Sequence, residues 1–164
     1  MSDVFTAAKR SEVMSRIRGS GNMQTELRMI TLFRRFGISG WRRRVALFGK
    51  PDFVFRRERL VLFVDGCFWH GCPKPKHSPL PKARADWWAQ KLSRNRERDR
   101  LVTRTLRGKG WHVLRIWECE LSLNKWPRVA NRICRALGLP VDTAIQRMSR
   151  LGPVARRPIR RSIR

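Results

Sequence analysis

A run of six residues near the middle of the chain, LVLFVD at 60–65, is apolar without interruption until its final aspartate. A strand with one exposed face alternates apolar and polar residues. A continuous apolar run of this length instead predicts a strand that is buried on both faces. Such a strand needs packed elements above and below it. The run therefore predicts an α/β fold with helices on both faces of a sheet.

The rest of the chain supplies elements that can flank this strand. The spacing of apolar residues predicts helices over 3–18, 23–36, 84–107 and 124–137. Further strands are predicted over 41–48, 52–55 and 112–118, and a long loop with four prolines over 66–82. The order α-α-β-β-β-α-β-α predicts a mixed sheet in one domain over 1–140, followed by a flexible basic tail over 141–164.

The charge of the chain restricts its partners. Its 164 residues include 38 Lys and Arg against 12 Asp and Glu, a formal net charge of +26. This excess is typical of proteins that bind a polyanion, most often nucleic acid, because phosphate contacts release counterions. The alternative is an arginine-rich composition that merely follows a GC-biased genome.

No segment approaches the roughly 20 apolar residues that span a bilayer, and the N-terminus has no signal-peptide run, so we expect a cytoplasmic protein without a membrane partner.

Two of the few acids stand out from the charged helical segments. Asp52 follows Pro51 and opens one predicted strand, and Asp65 ends the next. Carboxylates at the ends of neighbouring strands can hold Mg²⁺, which polarises a phosphodiester and lowers the pKa of an attacking water. The alternative for each acid is local turn or strand-end chemistry. As a pair in a polycationic protein, they favour a metal site.

The spacing of these acids is similar to that of the PD-(D/E)xK nuclease fold, in which an acid and a lysine follow Pro-Asp on the next strand. Here Cys67 occupies the position of the lysine. Another residue must then manage the attacking water or the leaving group. His70 is the nearest candidate, because imidazole exchanges protons near neutral pH. A purely structural histidine is the alternative.

Cysteines and one further histidine surround the predicted loop. Cys67 and Cys72 lie at its start, His77 lies within it, and Cys119 follows the last strand. Three thiolates and an imidazole can form a tetrahedral zinc site that fixes the loop to that strand. Unpaired buried thiols are the alternative, and Cys134 is predicted to be one of these.

Large aromatic residues lie beside the basic ones. Phe68 and Trp69 fall in the loop, and Trp87 and Trp88 open the long charged helix. Rings on a cationic surface can stack on bases or wedge between base steps, and Met14 on the first helix could also wedge. Core packing is the alternative, and we expect it for at least one of Trp87 and Trp88.

Four separated motifs occur in a familiar order: GKPDFVF (49–55), LVLFVDGCFWHGC (60–72), NRERDR (95–100) and GWHVLRIWECEL (110–121). Together they resemble the very short patch repair DNA mismatch endonuclease (Vsr) family over about residues 5–138. The resemblance implies a restriction-endonuclease-like PD-(D/E)xK core (αβββαβ) with a structural zinc site. It also implies a Mg²⁺-dependent bacterial enzyme of the cytoplasm, associated with the nucleoid when bound to DNA.

The activity implied by the resemblance is nicking of double-stranded DNA on the 5′ side of the thymine in a T:G mismatch. Such mismatches arise when 5-methylcytosine, made by a DNA cytosine methyltransferase, is deaminated. A repair polymerase then resynthesises a short patch. Two alternatives stay open: a restriction-type endonuclease without mismatch preference, and a non-enzymatic zinc-stapled nucleic-acid-binding module. We expect a monomer, because a single mismatch lacks two-fold symmetry.

The resemblance also implies roles for individual residues. Asp52 and the backbone carbonyl of Val64 would bind Mg²⁺, His70 would transfer protons with Asp99 beside it, and Glu26 would act through water on the metal. The implied zinc ligands are Cys67, Cys72 and Cys119. The implied intercalating residues are Phe68, Trp69 and Trp88, with Met14 supporting them from the other groove.

The chain departs from the family pattern at two places. The pattern has Thr-His where this chain has Val64 and Asp65, so a second catalytic histidine is absent and we expect Asp65 to bind the metal instead. The histidine-rich stretch before the second loop cysteine is also missing, because only Gly71 separates His70 from Cys72. We therefore expect His77 to be the fourth zinc ligand.

Overall fold

The computed structural model describes residues 25–74, 81 and 84–139. The predicted first helix over 3–18 with Met14, the loop residue His77 and the predicted tail over 141–164 lie outside the described residues. The helices are α1 (Glu26–Phe36), α2 (Cys67–His70), α3 (Ala85–Gly108) and α4 (Trp126–Ala136). The strands are β1 (Trp41–Arg42), β2 (Phe53–Phe55), β3 (Leu60–Asp65) and β4 (His112–Trp117), with 3₁₀ turns at Glu118–Glu120 and Leu123–Lys125.

The four strands form one mixed sheet in the order β1-β2-β3-β4. The first three strands are antiparallel neighbours, and Val54 of β2 faces Val61 of β3. Strand β4 runs parallel to β3, with Val64 opposite Ile116. A parallel pair needs a long crossover connection, and the segment that contains α3 provides it.

Strand β3 is buried on both faces, as its sequence predicts. Leu62 and Val64 belong to a core that contains residues of α1 and α4. Val61 and Phe63 belong to a second core on the opposite face, with Val102 of α3. The predicted α/β class with helices on both faces is therefore confirmed, and Cys134 is buried as predicted.

Two predicted elements differ from the observed ones. The strand predicted over 41–48 ends at Arg42, because Arg44 has a left-handed backbone conformation (φ 55°) and Val45 and Leu47 pack against the second core instead of pairing with a strand. The loop predicted over 66–82 begins with the short helix α2, which ends at Gly71 in the left-handed conformation. Gly37 ends α1 in the same way, as predicted.

Helix α3 is long and charged, and it buries only Leu92, Val102 and Leu106. None of the helices in the described ranges combines the length and the apolar character required to cross a bilayer.

Gly49 offers a test of how the segment before β2 packs on α3. It has φ +76°, and a Cβ added there would collide with both γ-methyl groups of Val102. We expect Gly49→Ala to lower the free energy of unfolding by about 2–4 kcal/mol, from backbone strain and overpacking together. Denaturant unfolding measures the loss.

Gly40→Ala is the matched control. Gly40 has φ +87°, but nothing lies within 4 Å of the added Cβ, so only the backbone strain of about 1–2 kcal/mol applies. Equal losses in the two variants would contradict the observed packing of Gly49 on Val102.

Candidate active site

A cleft of about 640 Å³ lies at the carboxyl end of β3. It is unusual for so basic a protein, because four acids line it. The structure brings together all five residues predicted from the sequence to be catalytic, namely Glu26, Asp52, Asp65, His70 and Asp99. They come from α1, β3, α2, α3 and the residue before β2, so the fold rather than local sequence assembles the cleft.

Asp52 is the acid of the cleft without a cationic partner. Its Oδ2 accepts a hydrogen bond of 2.7 Å from the backbone N–H of Val64. Within the described ranges, no Lys, Arg or His nitrogen lies within 4.0 Å of its carboxylate. Burial raises the pKa of Asp52 to about 6, with the nearby charges of Glu26 and Asp65 adding to the effect and the Val64 hydrogen bond opposing it.

Glu26 lies in the first turn of α1 and is buried. Its carboxylate forms an ion pair with Arg43, which follows β1. The charge of Glu26 is therefore balanced by the protein itself, in contrast to that of Asp52.

His70 and Asp99 form a short hydrogen bond of 2.6 Å between Nδ1 and Oδ2. Burial by itself would raise the pKa of Asp99, but the hydrogen bond and charge of His70, together with Arg115, outweigh burial and lower it. Asp99 is thus an acceptor, and Nδ1 of His70 is the donor. This leaves Nε2 as the imidazole nitrogen that can exchange a proton with a substrate.

Arg115 is the site residue that motif reasoning missed. It lies in β4, and its Nε and Nη2 donate to both carboxylate oxygens of Asp65 at 2.6 and 2.7 Å. Its Nη2 also lies 3.1 Å from Oδ1 of Asp99. The sequence does carry a signal, because Arg115 interrupts the apolar part of HVLRIW, where a charge needs a partner. Asp65, which the sequence predicts to bind Mg²⁺, therefore already has both carboxylate oxygens bound to Arg115.

Three cysteines converge on one point beside the cleft. The sulfur atoms of Cys67, Cys72 and Cys119 all lie within 4.8 Å of one another, and those of Cys72 and Cys119 are 3.9 Å apart. Tetrahedral zinc with Zn–S bonds of about 2.3 Å places two sulfurs roughly 3.8 Å apart, so the spacing fits. Burial is the main cause that raises the pKa of Cys67 to about 12, so a bound cation is needed to hold these thiols as thiolates.

The cleft acids are arranged differently. Among the described residues, the three cysteines are the one group of three or more His, Cys, Asp or Glu residues whose possible ligand atoms all lie within 4.8 Å of one another. A site for Mg²⁺ in the cleft would therefore use one or two protein oxygens completed by water, which is the usual coordination of this ion.

The predicted intercalating rings form a cluster next to His70. The ring centroids of Phe68 and Trp69 are 5.2 Å apart, and that of Trp88 lies 5.1 Å from Phe68. All three are half-buried, and Trp87, which is 52% exposed, packs against Trp88. The expectation that Trp87 or Trp88 closes the core is wrong, because Trp87 is exposed, Trp88 is half-buried and neither belongs to a core cluster.

Comparison with known proteins places these residues in a family. The sequence model of a family described as "DNA mismatch endonuclease Vsr" matches residues 2–74. The type II nicking enzyme V.XorIIP of Xanthomonas oryzae pv. oryzae is 40% identical over 124 residues, which cover 74% of this chain and 88% of that protein. The DNA mismatch endonuclease Vsr of Escherichia coli (strain K12) is 37% identical over 123 residues, which cover 74% and 76%.

The chain belongs to the Vsr family. The type II nicking enzyme V.NaeI of Lentzea aerocolonigenes is 49% identical over a shorter match of 71 residues, 43% of this chain and 42% of that protein. The resemblance of the four motifs is thus confirmed. As a Vsr-family member, the protein is a DNA endonuclease, a hydrolase of phosphodiester bonds.

The raised pKa of Asp52 predicts that this carboxylate lowers the free energy of unfolding by an amount that depends on pH. Because the folded-state pKa of Asp52, about 6, lies above the ordinary 3.8, this carboxyl destabilises the folded protein least below pH 4, and its destabilising effect grows as pH rises to 6. Without added divalent metal, we expect Asp52→Asn to raise the free energy of unfolding by about 2–3 kcal/mol at pH 8. The gain should vanish at pH 4.

Denaturant unfolding at the two pH values measures this effect. Glu58→Gln, at an exposed position in the turn before β3, is the control and should show no such difference. A gain from Asp52→Asn that is equal at pH 4 and pH 8 would mean that the Asp52 carboxylate is not the source.

Proposed function

We propose that this protein is a Mg²⁺-dependent endonuclease that nicks duplex DNA on the 5′ side of the thymine in a T:G mismatch. Membership of the Vsr family supports the proposal, as does the name of the E. coli relative, a DNA mismatch endonuclease. The observation that carries it is the charge balance of the cleft. Every other acid there has an arginine or histidine partner, whereas Asp52 has none among the described residues.

The donor set fits a hard cation at Asp52. The carboxylate is desolvated, its pKa is raised, and it lies next to Val64. Asp52 and the backbone carbonyl of Val64 would hold Mg²⁺, with Glu26 acting through water. Asp65, which the sequence predicts as a further ligand, already has both carboxylate oxygens bound to Arg115. When bound, Mg²⁺ would neutralise charge on the scissile phosphate and lower the pKa of the attacking water.

His70 would manage the proton of the reaction. Because Asp99 fixes the proton on Nδ1, Nε2 is the nitrogen that gives a proton to, or takes one from, an oxygen at the scissile phosphate. His70 is also the last residue of α2, directly after Phe68 and Trp69. Proton transfer and base contacts would therefore be held by one short helix.

The aromatic cluster would supply mismatch preference. Inserting Phe68, Trp69 and Trp88 between base steps requires unstacking, which costs a few kcal/mol and least where pairing is already poor. A T:G mismatch is such a place. Met14, outside the described residues, would support the wedge from the opposite groove.

Zn²⁺ would be a structural ion, bound by Cys67, Cys72 and Cys119 with His77 as the fourth ligand. The three sulfurs have suitable spacing, and the ion would tie the start of α2 to the turn after β4. It would have no part in the chemistry. Its contribution would be to hold His70 and the aromatic cluster in place.

The biological setting follows from the substrate. T:G mismatches would come from deamination at sites of a DNA cytosine methyltransferase, and a repair polymerase would act after the nick. The enzyme would act as a monomer in the bacterial cytoplasm, on the nucleoid.

A second candidate is nicking without mismatch preference, which the name "type II nicking enzyme" of several relatives favours.

Nicking of three duplexes of one sequence, with T:G, C:G or T:A at the same position, tests the substrate. With Mg²⁺ we expect a nick 5′ of thymine in T:G alone. His70→Ala should lower the rate by about 10²–10⁴-fold, as expected for loss of a general acid or base. Asp52→Ala should lower it more than about a thousandfold, because the ion supplies several kcal/mol of charge stabilisation.

Binding measured in parallel is the control, and both variants should still bind DNA. Equal nicking of all three duplexes would favour the second candidate. Binding without cleavage by the wild-type protein would leave only a nucleic-acid-binding role.

Metal analysis tests the zinc site. We expect one zinc per chain, and Cys119→Ser should lose it together with several kcal/mol of stability, because binding energy is folding energy at such sites. Cys134→Ser, at a buried cysteine remote from the cluster, is the control and should keep the zinc. Folded wild-type protein without zinc would refute this assignment.

A further inference from the structure

Arg115 is a charged residue among the apolar residues of β4. It pairs in the parallel register with Phe63, which is buried, and its own side chain is 22% exposed. A guanidinium in such a place is unfavourable unless its donors are satisfied. The identity of its partners therefore indicates why the position carries a charge.

The partners of Arg115 are two acids of the cleft. Both oxygens of Asp65 accept from it in a bidentate pair, and Oδ1 of Asp99 lies 3.1 Å from Nη2. The Phe63 ring lies beneath the guanidinium, with Cζ 4.9 Å from the ring centroid. Nη1 is buried and has no hydrogen-bond partner among the described residues. The guanidinium is thus enclosed.

Asp99 is shared between Arg115 and His70. Its Oδ2 accepts from Nδ1 of His70, and its Oδ1 faces Arg115. Two contacts on opposite oxygens fix the plane of the carboxylate. Nδ1 of His70 also lies 3.8 Å from Oδ1 of Asp65, so a second acceptor is within short reach of the ring.

Asp65 and Asp52 are in opposite situations. The charge of Asp65 is balanced by a bidentate arginine, and its side chain is 4% exposed. Asp52 has no such partner among the described residues. An added cation is attracted to the carboxylate of Asp52, because its charge is not balanced by a protein cation. The carboxylate of Asp65 then remains paired with Arg115.

We propose that Arg115 is a positioning residue of the nicking reaction, anchored by Asp65, that holds Asp99 and through it the ring of His70. In this account Asp65 is the anchor of Arg115 and not a ligand of Mg²⁺. The inference rests on the proposed function, because it concerns how His70 is presented to DNA. It connects four elements, since Asp65, Arg115, Asp99 and His70 come from β3, β4, α3 and α2.

Loss of Arg115 should act on catalysis rather than on binding of DNA or metal. In Arg115→Gln the carboxylate of Asp65 loses its bidentate partner, and that of Asp99 keeps only the exposed Arg98, whose Nη2 lies 3.8 Å from Oδ1. The two carboxylates then compete for Nδ1 of His70. We expect kcat to fall by about 10–100-fold, the usual range for residues that orient a catalytic group. The half-saturating concentrations of T:G duplex and of Mg²⁺ should not change.

Three companion variants test the mechanism. Arg115→Lys restores the charge without the bidentate geometry and should give an intermediate kcat. The double variant Asp65→Asn/Arg115→Gln removes the competing carboxylate and should be faster than Arg115→Gln. Asp65→Asn alone should keep the Mg²⁺ half-saturation of the wild type. Arg128→Gln, at an exposed position on α4 across the sheet, controls for loss of one positive charge.

The tautomer of His70 is a readout that needs no DNA. In ¹⁵N spectra of the zinc-loaded protein at a pH where the ring is neutral, wild type should carry the proton on Nδ1, and Arg115→Gln should show a mixture. The chain has 3 histidines, so assignment against His70→Asn is direct. If the wild type nicks no duplex, the proposed function fails and the spectra still decide this inference.

The inference is overturned if Arg115→Gln keeps both the wild-type kcat and the single tautomer. It is also overturned if the double variant is no faster than Arg115→Gln. A raised Mg²⁺ half-saturation in Asp65→Asn would make Asp65 a metal ligand and refute its role as an anchor alone. If Arg115→Gln does not fold, the same comparisons apply to Arg115→Lys.

Discussion

Negative charge buried at the carboxyl end of β3 is the constraint on which the rest of the site depends. Four acids meet there in a protein with a net charge of +26, and each must be balanced. Arg43 balances Glu26, and Arg115 balances Asp65 and Asp99, with His70 sharing the second. Only Asp52 is left without a cation among the described residues, and burial raises its pKa. Within the cleft, Asp52 is therefore the carboxylate that an added cation would balance, and His70 lines the same cleft.

The short helix α2 carries the parts of the site that would touch DNA, yet four residues cannot form a stable helix alone. Contacts from neighbouring elements hold it. Glu118 accepts from the backbone N–H of Cys67 at 3.2 Å, and Asn95 on α3 donates to the carbonyl of Trp69 at 2.8 Å. Cys67 begins the helix and Cys72 follows its end, and both belong to the cluster with Cys119. A metal ion in that cluster would explain how a segment with so little core of its own presents His70 in a fixed position.

The sequence predicts the parts of this structure that depend on local pattern. The unbroken apolar run of β3 reveals burial on both faces, and the Pro-Asp pair and the FWH triplet point to Asp52 and His70. The partner of Asp65 could not be predicted, because Arg115 lies 50 residues away and meets it only through the parallel register of β3 and β4. The early end of β1 has a similar origin. Val45 and Leu47 have a strand-like pattern, but packing against the second core decides their conformation. Contacts between residues distant in the sequence therefore decide both the partner of Asp65 and the end of β1, and at β1 they outweigh the local strand propensity.

The central claim is that the carboxylate of Asp52 holds the divalent ion of a DNA endonuclease. Anomalous diffraction from crystals soaked in Mn²⁺, as a stand-in for Mg²⁺, tests it most directly. The account predicts a manganese peak within bonding distance of a carboxylate oxygen of Asp52 and of the carbonyl of Val64, apart from any zinc among the three thiols. A manganese ion held elsewhere in the cleft, with the Asp52 carboxylate bare, would contradict it.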